Sequence, residues 1–183
     1  MDQPTLYIFF GLIASGKSTL AELFAEAQGF PYYNTDRVRK ELAGIALNER
    51  RPDGMDQGIY TPAFTEKTYQ AMLERAAQDF SKGATGVVLD GSYSKATDRH
   101  KVNELASSLN ARTLFFLCSC SEQETQRRLA LRAKDPNAVS DGRWEIFIQQ
   151  REKFEHPDEL SPPQITYIDT EAEPKKLLRL LKS

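Results

Sequence analysis

Residues 11–18 have the residue types and the spacing of a phosphate-binding loop. They read GLIASGKS, which matches the pattern G-x-x-x-x-G-K-[ST], and they follow the apolar run LYIFF at residues 6–10. In such a loop the glycines let the main chain turn sharply and come close to a phosphate. Successive backbone N–H groups at the start of a helix then form an anion-binding nest. The pattern therefore predicts a site for the phosphates of a nucleotide.

Individual residues of this loop have expected roles. Lys17 is expected to bring a positive charge to the β- and γ-phosphates, and the Ser18 hydroxyl to ligate Mg²⁺, a hard cation that prefers oxygen ligands. A glycine-rich turn that only caps a helix is the alternative, and it does not explain why Lys and Ser follow the glycines together. The residues expected to bind the nucleotide are Gly11, Leu12, Ile13, Ala14, Ser15, Gly16, Lys17, Ser18 and Thr19.

Asp90 is a candidate for orienting the metal. It ends a second apolar run, residues 86–90, and could bind Mg²⁺ beside Ser18 either directly or through water. The alternative is that Asp90 caps a helix or lies in a solvated turn, since Asp-Gly is a common turn pair.

Asp36 and Arg39 form a candidate acid–base pair. They are three apart at the start of a predicted helix, so they are neighbours on one turn. A carboxylate beside a guanidinium stays ionised and could take the proton of an attacking hydroxyl as a phosphoryl group arrives. Arg39 could hold an anionic part of the acceptor or of the transition state. The alternative is an N-cap Asp followed by a solvated basic face.

Arg128 and Arg132 are candidates for stabilising the transferred phosphoryl group. They are four apart on a predicted helix that precedes the polar segment 134–142, so they share a face. Arginines aimed at the β,γ-bridge would offset the charge that develops in phosphoryl transfer. A solvated surface stripe is the alternative, because Arg127 and Lys134 lie nearby, and the choice between the two arginines stays open.

The elements that must position these residues alternate between strand and helix. Their order predicts an α/β fold with a parallel sheet of about five strands sandwiched by helices, in one domain over residues 1–183. Ligands bind beyond the carboxyl ends of such strands, where the loop 11–18, Asp36 and Asp90 all fall. Strands are predicted at about 5–10, 31–34, 86–90, 113–118 and 164–168. Helices are predicted at about 17–28, 36–42, 61–83, 95–109, 121–133 and 143–155, and after a capping box at 170–173.

Composition restricts the class of protein. The chain has 183 residues, of which 40% are hydrophobic and 27% charged, and no apolar run reaches membrane length. Residues 1–4 carry no basic cluster, so we expect a cytoplasmic protein with no membrane partner. A net charge of −2 disfavours a dedicated duplex-DNA binder, although a local basic groove stays open. Cys118 and Cys120 are too few ligands for a zinc site and are expected to be reduced thiols.

Five stretches together resemble a known family, the P-loop kinases related to polynucleotide 5′-kinase. The resemblance covers about residues 6–154 and is closest to the ATP-binding module found fused to aminoglycoside-phosphotransferase-like domains. It implies a P-loop NTPase fold of the nucleoside-kinase type, ATP with Mg²⁺ as donor, and Asp36 as general base. It also implies a mobile helical lid near residues 128–142 that carries arginines. The stretches read GLIASGKSTLA, TDRVRKELAG, IYTPAFTEKTY, GVVLDGSYSKATDR and LCSCSEQETQRRLALR.

The resulting hypothesis is an ATP-dependent kinase that transfers the γ-phosphoryl group to a hydroxyl of an unidentified small molecule. The turn-rich segment 44–60 and the helix after it are expected to shape the acceptor pocket. One alternative is a polynucleotide 5′-hydroxyl kinase, and another is a nucleotide-binding ATPase or switch that has no acceptor. A single-strand groove for the first alternative would be lined by Arg37, Arg39, Lys40, Arg50 and Arg51. Neither the acceptor nor the oligomeric state can be read from the sequence.

Overall fold

The structure is a computed structural model that describes residues 3–49, 56–135 and 143–181. Its centre is a five-stranded parallel sheet. The strand order is β2-β3-β1-β4-β5. All four neighbouring pairs run parallel, which confirms the predicted α/β architecture. The strands are β1 (Thr5–Phe10), β2 (Tyr32–Asn34), β3 (Gly86–Gly91), β4 (Arg112–Ser119) and β5 (Ile165–Asp169).

Helices cover both faces of the sheet within these described ranges. The apolar run of β1 is continuous because successive residues pack on opposite faces. Ile8 and Phe10 pack with residues of α3 and α4, whereas Phe9 packs with residues of α1 and α7, and all three side chains are fully buried. The helices are α1 (Lys17–Gln28), α2 (Thr35–Leu42), α3 (Pro62–Ser81), α4 (Ala96–Ser108), α5 (Glu122–Lys134), α6 (Trp144–Lys153) and α7 (Pro174–Leu180).

The parallel register brings the carboxyl ends of three neighbouring strands together. Asp90 of β3 lies opposite Phe9 of β1 and Asn34 of β2. Because β1 leads into the loop 11–18 and β2 leads into α2, the candidate residues on these connections meet at one edge of the sheet. This is the edge at which connectivity alone predicts a ligand site.

The predicted capping box at 170–173 is wrong. Helix α7 begins at Pro174, and Glu173, its N-cap residue, makes no side-chain capping hydrogen bond. The Thr170 hydroxyl instead donates to the carbonyl oxygens of Ser15 and Ser119. This residue therefore joins the phosphate-binding loop to the end of β5 rather than starting a helix.

Two predicted segments fall partly outside the described residues. These are the lid at 128–142, of which residues 136–142 are not described, and the acceptor-side insertion at 44–60, of which residues 50–55 are not described. The insertion ends in a short 3-10 helix, Gly58–Tyr60. Helix α3 follows, with the Thr61 side chain accepting from the N–H of Phe64. In the described ranges, no helix combines the length and the apolar character needed to cross a membrane.

Candidate active site

The loop 11–18 has the strained backbone of a phosphate-binding nest. Gly11, Ala14 and Gly16 all have positive φ values, of 139°, 59° and 83°. A Cβ atom at Gly11 would collide with the carbonyl oxygen of Cys118, and one at Gly16 would lie 2.8 Å from both Arg128 Nη1 and Thr170 Oγ1. Glycine is therefore required at both positions by conformation and by space.

Replacing Gly16 with Ala is expected to weaken nucleotide binding by about 10- to 100-fold, because the added methyl group must displace Arg128 or Thr170 from behind the loop. Gly29 is a matched control, since its φ is also left-handed, at 69°, but a Cβ atom added there would meet nothing within 4 Å. Gly29→Ala should cost about 1 kcal/mol of stability and leave nucleotide affinity unchanged. Calorimetric titration with ADP and Mg²⁺ compares the two variants, and equal affinities would contradict the prediction.

Lys17 lies at the base of a cavity and close to the candidate acids. Its Nζ donates to the carbonyl oxygen of Leu12 at 3.1 Å. Burial lowers the pKa of Lys17, whereas the nearby carboxylates of Asp90 and Asp36 act to raise it. The ammonium group therefore lies where a phosphate could replace the Leu12 carbonyl as its partner.

Asp90 is fully buried at the end of β3, and only one of its two carboxylate oxygens has hydrogen-bond partners. Its Oδ2 accepts hydrogen bonds from the Tyr32 hydroxyl, at 2.7 Å, and from the Asn34 side chain. Burial raises the pKa of Asp90, while the charge of Lys17 and the hydrogen bonds from Tyr32 and Asn34 oppose that rise. Oδ1 has no hydrogen-bond partner among the described residues.

Asp36 and Arg39 are in direct contact, as the spacing predicts. Arg39 Nη1 donates to Asp36 Oδ1 at 3.1 Å, and the guanidinium lies over the Tyr60 ring, 4.9 Å from its centroid. The start of α2 positions the Asp36–Arg39 pair. This helix is capped by Asn34, whose Oδ1 accepts a hydrogen bond from the N–H of Arg37 at 3.1 Å. Only 8% of the Arg39 side chain is exposed, against 25% of Asp36, so the carboxylate is the more accessible partner.

The two candidate arginines of α5 are placed differently. Arg132 lines the cavity, and its burial lowers its pKa while the charge of Asp36 acts to raise it. Arg128 is not among the cavity-lining residues. Its Nη1 donates to Ala14 O at 3.2 Å, its Nη2 to Thr170 O at 2.8 Å and its Nε to Glu124 at 2.7 Å. Arg128 thus braces the outside of the loop in this structure.

One cavity of about 930 Å³ joins the loop 11–18 to a polar wall on the other side of Asp36. The wall is formed by α3, by the start of α4 and by the segment after β3. The Tyr69 hydroxyl lies 3.1 Å from Ser92 Oγ and accepts from the N–H of Tyr93. Residues of this wall include Tyr60, Thr65, Tyr69, Ser92, Ser94 and Thr97.

Unsatisfied buried polar atoms are concentrated at this site. Among the described residues, four buried side-chain atoms lack a hydrogen-bond partner: Ser15 Oγ, Arg39 Nε, Asp90 Oδ1 and Tyr93 Oη. The first belongs to the loop 11–18, the next two are candidate site residues, and Tyr93 lies between the wall residues Ser92 and Ser94. Native proteins leave few such groups unpaired, and of these four residues only Arg39 lines the cavity.

The structure adds residues that sequence reasoning missed and removes one from the proposed basic groove. Gln150 of α6 lines the cavity and accepts from the N–H of Ile13 at 2.9 Å. Nothing in the local pattern of α6 marks it, since one glutamine on an amphipathic helix is ordinary.

Lys40 is fully buried and donates to the carbonyl oxygens of Leu47 and Glu49, so its assignment to a groove is wrong. Arg37 is paired with Glu22 at 2.9 Å. Arg50 and Arg51 lie outside the described residues.

Comparisons with known proteins give the family and the fold of the chain. The family model described as AAA domain matches residues 6–157. An uncharacterized protein of Mycobacterium tuberculosis is 31% identical over 119 residues, which are 65% of this chain but only 24% of that protein. The chain therefore spans about a quarter of the length of this curated relative. An adenylate kinase of Prochlorococcus marinus is 24% identical over 79% of this chain and 78% of its own.

Solved structures share the fold over nearly the whole chain. The APS kinase of Mycobacterium tuberculosis, in complex with AMPPNP and APS, has a TM-score of 0.65 at 18% identity and covers 100% of both chains. A gluconokinase from Sinorhizobium meliloti has a TM-score of 0.61 at 22% identity and covers 97% of this chain and 88% of its own. The chain thus belongs to the AAA domain family, and its fold is the α/β P-loop NTPase fold found in these kinases.

Proposed function

We propose that this chain is an ATP-dependent phosphotransferase that moves the γ-phosphoryl group of ATP·Mg²⁺ to a hydroxyl of a small molecule. The observation that carries the proposal is the composition of the cavity. It brings Lys17 of the phosphate-binding loop and the Asp36 carboxylate to a single space, with the buried Asp90 carboxylate close to Lys17. A site that only bound a nucleotide would not need a second carboxylate facing a hydroxyl-rich wall.

The donor end suits a nucleotide triphosphate. Backbone amides at the start of α1 would form the anion nest, and Lys17 would supply a charge beside it. Kinases of the same fold, including an APS kinase in complex with AMPPNP, support a nucleotide here. Arg132, which lines the same cavity as Asp36, is the arginine we assign to the transferred phosphoryl group.

Ser18 and Asp90 are the residues that would hold Mg²⁺. Asp90 Oδ1 is a hard oxygen donor with no hydrogen-bond partner among the described residues, which fits the preference of this cation. In the described ranges no cluster of three or more His, Cys, Asp or Glu could hold a metal alone, so phosphate and water must complete the ligand set. Bound Mg²⁺ would neutralise phosphate charge.

Asp36 is the residue we assign as general base. Its carboxylate is fixed by Arg39 at 3.1 Å, lines the cavity and lies between the loop and the polar wall. An acceptor hydroxyl bound against that wall would donate its proton to Asp36 as its oxygen attacks the γ-phosphorus. Arg39, through its contact with Asp36 and with Tyr60, keeps the carboxylate in place.

A small molecule suits the acceptor wall better than a nucleic-acid end. Lys101 at the wall is paired with Glu66 at 2.7 Å, and Arg37 is paired with Glu22. Together with the burial of Lys40, these pairs leave little unbalanced positive charge for a phosphate backbone among the described residues.

A labelling screen tests the proposal. Hydroxyl-bearing metabolites, antibiotics and oligonucleotides are each incubated with γ-labelled ATP and Mg²⁺, and the products are separated. We expect the label on a small-molecule alcohol. Label on oligonucleotide 5′ ends with a steep salt dependence would favour a polynucleotide kinase, and label only in inorganic phosphate with every acceptor would favour an ATPase or switch.

A further inference from the structure

Gln150 connects α6 to the phosphate-binding loop. Its Oε1 accepts a hydrogen bond from the N–H of Ile13 at 2.9 Å, although 137 residues separate the two in sequence. Helix α6 is fixed in this position by Phe147, which packs with Ile13, Ala14 and Leu129. Arg151 of the same helix pairs with Glu122 of α5 at 2.8 Å. The glutamine is therefore held against the loop by a small core of its own.

The peptide group that Gln150 contacts also contacts Lys17. The N–H of Ile13 donates to Gln150, and the carbonyl of the same peptide, on Leu12, accepts from Lys17 Nζ at 3.1 Å. The orientation of this one peptide plane therefore sets both contacts. Helix α6 therefore fixes the Leu12–Ile13 peptide group, beside which the Lys17 ammonium lies.

The Gln150 side chain also belongs to the lining of the cavity. Gln150 and Ile146, four residues apart on α6, both line it, together with Lys17, Asp36 and Arg132. Nε2 donates to no acceptor in residues 3–49, 56–135 or 143–181. A carboxamide whose oxygen is engaged keeps two N–H donors, and in a residue that lines this cavity they are suited to bind an anionic oxygen.

We propose that Gln150 binds the terminal phosphate of the nucleotide through Nε2 while its oxygen holds the Leu12–Ile13 peptide. The inference rests on the proposed function, because it requires a triphosphate in the loop. It assigns the terminal phosphate because Gln150 lines the same cavity as Asp36 and Arg132, the residues assigned above to the transfer of the phosphoryl group. Gln150 therefore distinguishes nucleoside triphosphate from diphosphate.

The test compares Gln150→Glu with Gln149→Glu in the full chain. Glutamate at 150 keeps an oxygen for the Ile13 N–H but removes the donors and adds a negative charge, whereas residue 149 is exposed on the same helix. Binding of AMPPNP and of ADP, each with Mg²⁺, is measured by calorimetric titration, together with the melting temperature. Gln150→Glu should weaken AMPPNP binding by about 10- to 100-fold and ADP binding by less than about threefold. Gln149→Glu should leave both affinities and the melting temperature unchanged.

Other outcomes separate the inference from the proposal beneath it. If Gln150→Glu weakens both nucleotides by the same factor, or neither, Gln150 has a structural role only and the inference is overturned while the kinase proposal stands. If the unmodified chain binds neither AMPPNP nor ADP, both are overturned. A second variant, Gln150→Met, removes both hydrogen-bonding ends at similar length, and it should also weaken AMPPNP more than ADP.

Discussion

Replacing Asp36 with Asn is expected to lower phosphoryl transfer to the acceptor by about 10²- to 10⁴-fold, the range that a general base contributes. Asparagine keeps an oxygen for Arg39 Nη1, which now lies 3.1 Å from Asp36 Oδ1, so the position of the pair should persist. The amide cannot take the proton of the attacking hydroxyl. Single-turnover transfer from γ-labelled ATP to the acceptor found by the screen measures the effect. AMPPNP affinity should change by less than about threefold, because the neutralised group is not in the nest.

The control for charge and composition is Asp158→Asn. Asp158 is 86% exposed and paired with His156 on the surface, so the same chemical change there should leave transfer unaffected. Turnover of ATP that is unchanged in Asp36→Asn would contradict the assignment of the base and would favour an ATPase or switch without an acceptor. A parallel loss of AMPPNP affinity would instead place Asp36 in the nucleotide site.

Much of the fold could be predicted because local patterns and the core demand the same structure. The apolar runs that become β1 and β3 are buried on both faces of the sheet, so their composition alone distinguishes them from half-exposed strands. The turn at Gly11 and the left-handed Gly16 follow from the motif, and the contact of Asp36 with Arg39 follows from helical spacing.

Residues whose surroundings come from distant parts of the chain could not be predicted in this way. Lys40 has the sequence context of a solvated basic face, yet its ammonium is buried on the carbonyl oxygens of Leu47 and Glu49. Thr170 has a local capping signature, but its hydroxyl contacts Ser15, 155 residues away. For Lys40 the hydrogen bonds reach a loop seven and nine residues further along the chain, and for Thr170 the hydrogen bond is long-range; in both cases these contacts outweigh the local preference. Gln150 has no local signature, because its role depends on where α6 lies against the loop.

Arg128 is another residue whose contacts could not be predicted from its local sequence. Its replacement is the second change from which we expect a large effect. Replacing Arg128 with Met should lower the free energy of unfolding by about 2–4 kcal/mol, because it removes the donors to Ala14 O and Thr170 O, each costing about 1–3 kcal/mol when left unpaired. The loop would lose its outer support, so AMPPNP and ADP should both bind about tenfold or more weakly. Urea unfolding and calorimetric titration measure the two effects.

Arg127→Met is the matched control, since Arg127 shares Glu124 with Arg128 but is 61% exposed. It should lower stability by less than about 1 kcal/mol, as expected for a surface ion pair, and leave nucleotide affinity unchanged. An arginine aimed at the β,γ-bridge predicts a different pattern for Arg128→Met, namely slow transfer with normal stability and normal ADP affinity. That pattern would return Arg128 to the catalytic role that its spacing suggests. Equal losses of affinity for both nucleotides, together with lower stability, would mean that it braces the loop and that Arg132 alone of the two meets the transferred phosphoryl group.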